Sequence, residues 1–168
     1  MRKLSKEAAG NLHVDLELSR DFLISFSRFE YALKEKLYVH KGDAVKPLKV
    51  NYSKFGADIR DRFKEKMTGD PTLKKAVEYF CSEPPKEQIW DGEKPRWSEQ
   101  ETGVEATSDN MIQLIYRVRN NLFHGGKGWL HPEGNNERDK LLMEYALEIL
   151  EAMLDCDEAL KHEFSSYQ

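Results

Sequence analysis

The sequence predicts an all-α fold, an antiparallel bundle of four to five helices with a long irregular connector before the fourth helix. Apolar residues recur at spacings of three and four in several long segments, which indicates amphipathic helices rather than strands. A stretch rich in proline and glycine separates the third of these segments from the fourth, which predicts the connector. The chain has 168 residues, a length that fits a single domain over residues 1–168.

The first helix is predicted over about residues 16–38. Its apolar residues recur at intervals of three and four and form one stripe, made of Phe22, Phe26, Phe29, Leu33 and Leu37. Two polar residues at the start of this segment, Asp15 and Ser19, are alternative caps.

The second and third helices are predicted on either side of an aspartate–proline pair. The second covers about residues 53–67 and is followed by Gly69. The third begins at Asp70-Pro71, where the aspartate is a cap and the proline takes the first helical position. Pro84-Pro85 ends it.

The connector runs over about residues 82–108. A structureless segment of this length is uncommon in a compact domain unless it is functional. It contains Trp90 and Trp97, which we expect to pin it to the bundle, and a short extended pair is predicted around residues 88–97. The fourth helix then begins at Ser108 or Asp109 and ends before Gly125-Gly126. A polar loop over residues 127–136 and a last helix over about residues 137–161 complete the prediction.

The composition limits the classes of function. The formal net charge is −4, the pI is near 5.8 and the mean hydropathy is −0.73, so an RNA site must be a local patch rather than a whole basic surface.

Residues 1–10 are charged and lack an apolar signal-peptide core, and the apolar runs are too short to span a membrane. Cys81 and Cys156 are therefore expected to be reduced thiols in a cytoplasmic protein. The histidines show no metal-ligand spacing, so neither a metal nor another cofactor is expected.

One segment concentrates the residues that could do chemistry. Asn120 and His124 are four residues apart on the predicted fourth helix and share a face. Arg119 lies about 140° around the helix from His124, and its long side chain can reach the same cleft. Arg117, Asn121 and Lys127 flank this group.

These residue types suit cleavage of an RNA phosphodiester. Histidine can pass a proton near neutral pH, and arginine binds phosphate and stabilises charge that develops on it. RNA supplies its own nucleophile, the 2′-hydroxyl, so no metal is needed. Arg117 and Lys127 could hold flanking phosphates. The alternative is that these residues have only structural roles: His124 interacts with the helix dipole, Arg119 makes an ion pair and the asparagines cap the helix end.

The run Arg-Asn-Asn-Leu-Phe-His-Gly-Gly-Lys at 119–127 resembles the signature of the HEPN superfamily. That family has an arginine and a histidine separated by four to six residues, often with a polar residue directly after the arginine, as Asn120 is here. Residues 26–34 resemble the first helix of small bacterial HEPN-like proteins, and residues 84–86 resemble the segment that precedes their motif helix. The resemblance covers most of the chain, from about Phe22 to Leu154.

The resemblance implies a metal-independent endoribonuclease that acts as a homodimer with a composite arginine and histidine site. His124 would be the general acid and base, Arg119 the phosphate ligand, and Asn120 the residue that orients them. Arg117, Asn121 and Lys127 would only support RNA binding. Such proteins occur as toxins or phage-defence effectors, often beside a nucleotidyltransferase-type antitoxin.

Two other hypotheses stay open. Some HEPN proteins are non-catalytic modules that bind a nucleotide or a partner protein, and the acidic pI agrees with that reading. A purely structural protein would use the motif only as a helix end. Arg28 and Glu30 of the first helix either approach the motif helix and orient Arg119 or form an ordinary surface pair.

Overall fold

The structure is a computed structural model that describes residues 15–42, 45, 47–123 and 136–166. Within these ranges the helices are α1 (Leu16–Glu35), α2 (Tyr52–Gly69), α3 (Pro71–Ser82), α4 (Ser108–Phe123), α5 (Asn136–Asp155) and α6 (Glu158–Ser165). A hairpin of two antiparallel strands, β1 (Gln88–Trp90) and β2 (Pro95–Trp97), lies between α3 and α4. The predicted all-α class is confirmed, and so is the extended pair in the connector.

The first helix ends earlier than its apolar spacing predicts. Asp15 is its cap, since the side chain accepts the backbone N–H groups of Glu17 and Leu18, each at 3.0 Å. At the other end Leu37 has a left-handed φ of 61°, and the N–H of Tyr38 returns to the carbonyl of Leu33. Leu37 is consequently 62% exposed, so its predicted place on the apolar stripe is wrong.

The most extensive helix pairing joins α2 to α4, and Gly56 lies at their crossing. A Cβ at position 56 would lie 2.4 Å from the Cα of Asp109. Ser108 donates a hydrogen bond of 2.7 Å to the carbonyl of Gly56, and Arg60 forms an ion pair of 2.7 Å with Asp109. Neither predicted cap of the fourth helix acts as one, because Ser108 and Asp109 both lie inside the helix and bind α2.

The predicted last helix is two helices. The carboxylate of Asp157 accepts the N–H of Leu160 at 3.0 Å and so begins α6 after α5 has ended at Asp155. Asp155 in turn accepts from Lys161 at 2.7 Å and from Lys66 of α2 at 2.8 Å. This acidic segment is therefore a junction that joins α2, α5 and α6.

Arg28 joins the first and last described helices. Its guanidinium donates to the carbonyls of Phe164 at 2.9 Å, Glu163 at 2.7 Å and Ser166. Tyr31 packs against the same guanidinium, 4.9 Å from ring centroid to Cζ. Arg28 thus binds the carboxyl end of α6, which is neither of the two alternatives left open for it.

The core is continuous from α1 to α6. It contains aliphatic residues from every helix. Among the residues whose burial is described, six phenylalanines are fully buried in it: Phe22, Phe26, Phe29, Phe55, Phe63 and Phe80. Among the described residues, no helix is both long and apolar enough to cross a membrane.

Candidate functional site

The second half of α4 carries the motif. Nη1 of Arg119 donates to Oδ1 of Asn120 at 3.0 Å, and both residues are half-buried. This bond joins the guanidinium to the neighbouring asparagine, and the orienting role of Asn120 stays a prediction. His124 and Lys127 lie outside the described residues, so the predicted convergence of Arg119 and His124 remains a prediction.

A cleft of about 340 Å³ lies between α4 and the hairpin. The helix contributes Gln113, Tyr116, Arg117, Asn120 and Asn121 to its wall, and the connector contributes Glu87, Gln88 and Trp97. Asn120 therefore belongs to the cleft and to the contact with Arg119 at once. The predicted phosphate ligand and the cleft are neighbours.

Two predicted RNA ligands hold the connector in place. Arg117 donates to the carbonyl of Pro85 at 3.0 Å and pairs with the carboxylate of Glu101 at 2.9 Å. Asn121 is buried, with 7% of its surface exposed, and donates to the carbonyl of Lys86 at 2.8 Å. Both side chains therefore satisfy groups of the protein itself, and their predicted part in binding RNA stays a prediction.

The same part of the connector is held by two further side chains. Gln100 and Arg138 each donate to the carbonyl of Pro84, both at 3.1 Å. Pro84 is itself buried, like Pro85. Within the described residues, four side chains from three parts of the chain thus bind the carbonyls of residues 84–86, the segment that leads into the hairpin.

The tryptophans behave differently from each other. Trp97 is partly buried and lines the cleft, whereas Trp90 is 66% exposed. The expectation that both pin the connector is wrong for Trp90, because backbone carbonyls bound by polar side chains hold the segment instead.

An aromatic cluster supports the helical wall of the cleft. The ring of Tyr116 lies 5.1 Å from that of Tyr52 and 6.4 Å from that of Phe26, between centroids. The Tyr52 hydroxyl is buried and makes no hydrogen bond within the part of the chain that the structure describes. Burial therefore raises the pKa of Tyr52, with a smaller upward contribution from the charge of Glu30, while Arg119 acts in the opposite direction. Arg119 thus lies close enough to this buried phenol to influence it.

The arrangement offers a cation, a hydrogen-bonding amide and an aromatic cleft in one place. A second cavity, of about 320 Å³, lies between α1, α5 and α6 and contains none of the predicted site residues. Among the residues with described positions, no three histidine, cysteine or acidic side chains are grouped so as to hold a metal ion.

Much of the cleft is lined by residues that are not among the predicted site residues. Gln113 and Tyr116 lie seven and four residues before Asn120, so helical spacing alone could have placed them on its face. Gln88 and Trp97 reach the cleft only through the fold of the connector, and no local pattern indicates that.

Comparison with known proteins found no matching family model, no matching curated protein and no matching solved structure.

Proposed function

We propose that this protein is a metal-independent endoribonuclease of the HEPN type. The observation that carries the proposal is the hydrogen bond of 3.0 Å between Arg119 and Asn120, at a cleft of about 340 Å³ that Asn120 helps to line. It keeps a cation beside the cleft, which supports the binding of a phosphate there. The all-α fold and the motif at the end of a late helix agree with the proposed family.

The chemistry assigns one role to each residue. The 2′-hydroxyl of RNA attacks the adjacent phosphorus, the bond from phosphorus to the 5′-oxygen breaks, and a 2′,3′-cyclic phosphate and a 5′-hydroxyl result. His124 accepts the proton of the attacking hydroxyl, and a protonated His124 donates one to the leaving oxygen. Arg119 stabilises the negative charge that develops on the phosphate oxygens. Asn120 keeps the guanidinium in position.

The family resemblance extends the proposal to the assembly and the biological role. A homodimer would bring two arginine and histidine sets into one cleft. A toxin or phage-defence effector of this kind would be paired with a nucleotidyltransferase-type antitoxin that suppresses the site.

The alternative is a non-catalytic module that binds a nucleotide or a partner protein. Its support is the charge of the cleft: Arg117 is neutralised by Glu101 at 2.9 Å, and Glu87 adds a carboxylate to the wall. A long polyanion gains less from such a surface than from a basic groove. A single nucleotide needs only the cation of Arg119 and the cleft beside it.

The test is cleavage of labelled tRNA and mixed cellular RNA in EDTA. We expect the parent protein to cleave, and His124→Ala to lose about 100- to 10,000-fold of the rate because an acid–base group is removed. Arg119→Ala should lose roughly 100- to 1,000-fold.

Matched controls are His40→Ala and Arg20→Ala, since both side chains are exposed and lie outside the site. These variants should cleave like the parent. A requirement for a divalent metal, or full activity in His124→Ala, contradicts the ribonuclease proposal. An intact, inactive protein that binds nucleotide favours the alternative.

A further inference from the structure

We propose that the cleft binds one unpaired nucleobase of RNA, next to the phosphate that Arg119 contacts. This inference rests on the proposed function, because it assigns the base neighbouring the scissile phosphate to a defined subsite. Its volume of about 340 Å³ falls in the range of roughly 300–1,000 Å³ that is usual for small-molecule sites.

The hairpin supplies one wall in a fixed form. Gln88 and Trp97 are directly paired across the two strands, so their side chains share a face of the hairpin. The turn is set by Asp91, whose carboxylate accepts the N–H groups of Glu93 at 3.0 Å and Lys94 at 2.9 Å. The indole of Trp97 is therefore presented to the cleft by a short, well-defined turn rather than by a loose loop.

The helix supplies the opposite wall. Tyr116 packs against Tyr52, so the helical wall of the cleft also carries an aromatic ring. Asn120 accepts from Arg119 through Oδ1, which leaves its amide N–H groups as donors at the cleft. The amide of Gln88 makes no hydrogen bond to the described part of the protein, so it can act as donor and acceptor.

The cleft suits an uncharged base better than a phosphate. An aromatic face with amides around it matches a base, which has a π-face for stacking and a polar edge for hydrogen bonds. Arg117 is paired with Glu101, and Glu87 contributes negative charge, so the interior attracts a phosphate less than a basic groove would. Arg119, whose guanidinium binds Asn120 at the edge of the cleft, is the cation assigned to the neighbouring phosphate.

The experiment measures base-dependent binding without cleavage. The probe is a short fluorescein-labelled strand with 2′-O-methyl riboses that carries a single base, adenine, uracil, guanine or cytosine, among abasic positions. The reference probe is a fully abasic strand of the same length. Methylation removes the nucleophile, and the backbone charge is the same in both strands, so the difference in affinity reports the base alone.

We expect the parent to bind at least one of the single-base strands about 5- to 150-fold more tightly than the abasic strand, as stacking on one aromatic side chain provides. Trp97→Leu should bring this affinity ratio close to one. Trp97→Phe should retain part of the preference because an aromatic ring is kept. Gln88→Ala should reduce the ratio and change which base is preferred. The matched control is Trp90→Leu, since Trp90 belongs to the same hairpin but is exposed and outside the cleft; its ratio should equal that of the parent.

Two outcomes overturn the inference. In one, the parent binds the abasic strand as tightly as every single-base strand. In the other, folded Trp97→Leu and Gln88→Ala keep the ratio of the parent. Cleavage with unchanged sequence preference in Trp97→Leu would retain the ribonuclease and reject the subsite. Base-dependent binding through Trp97 without any cleavage would retain the subsite and reject the ribonuclease.

Discussion

Replacement of Gly56 by alanine tests how α4, the motif helix, is held. The new Cβ would lie 2.4 Å from Cα, 2.7 Å from N and 2.8 Å from Cβ of Asp109. Ordinary contact begins at about 3.4 Å, and the nearest atoms belong to backbone, so α2 and α4 must separate by roughly 1 Å. This movement strains the hydrogen bond of 2.7 Å between Ser108 and the Gly56 carbonyl.

The magnitude follows from three effects. Overpacking costs about 1–3 kcal/mol, and loss of the hydrogen bond costs about 1 kcal/mol. The greater helix propensity of alanine returns roughly 1 kcal/mol. We expect Gly56→Ala to lower the free energy of unfolding by about 2 kcal/mol, which corresponds to a fall in Tm of roughly 4–8 °C for a domain of this size.

Thermal and urea unfolding measure this change, with Gly69→Ala as the matched control. Gly69 is the last residue of the same helix, and no atom lies within 4 Å of its added Cβ. Gly69→Ala should therefore be as stable as the parent or slightly more stable. Equal stability of the parent and Gly56→Ala would refute the close crossing of the two helices. An equal fall in the free energy of unfolding of Gly56→Ala and Gly69→Ala would show that the loss does not come from the contact at Gly56.

Two further predictions concern the connector and the helix junction. Asn121→Ala removes the hydrogen bond of 2.8 Å to the Lys86 carbonyl, so we expect about 1–3 kcal/mol of destabilisation and faster tryptic cleavage after Lys86; unchanged cleavage and stability would contradict this. The hydrogen bonds from Lys161 and Lys66 hold the pKa of Asp155 below its usual range. A carboxylate of this kind stabilises the fold at pH values above its unfolded-state pKa. The stabilisation is lost as the pH falls through its folded-state pKa. Asp155→Asn should therefore be less stable than the parent by roughly 1 kcal/mol at neutral pH, with a gap that closes in acid; a constant gap in urea unfolding across the pH series would argue against the ion pairs.

Elements with a strong local signal were predicted correctly. The carboxylate of Asp70 and the proline after it start α3 as expected, since both act on the backbone within one turn. Asp15 starts α1 in the same way. The ends that were missed depend on weaker signals: Leu37 adopts a left-handed conformation without being glycine, and Asp157 interrupts an apolar period that continues across it.

The candidate site was only partly accessible from sequence. Arg119 and Asn120 are adjacent, so their contact follows from one short segment. The binding of Asn121 to Lys86 spans 35 residues, and the pairing that brings Trp97 beside α4 depends on the whole connector. No periodicity within one helix encodes such contacts, so the sequence predicts no part for Asn121 in holding the connector.

The grip of Arg28 on the carbonyls of Glu163 and Phe164 has a consequence for local unfolding. A helix as short as α6 has little helicity in isolation, so its amides should exchange with solvent whenever it detaches from α1. Protection of the α6 amides from hydrogen exchange therefore reports whether α6 is packed on α1, although the two helices are more than a hundred residues apart. Faster exchange in the last turn of α6 should indicate that Arg28 has released its carbonyls.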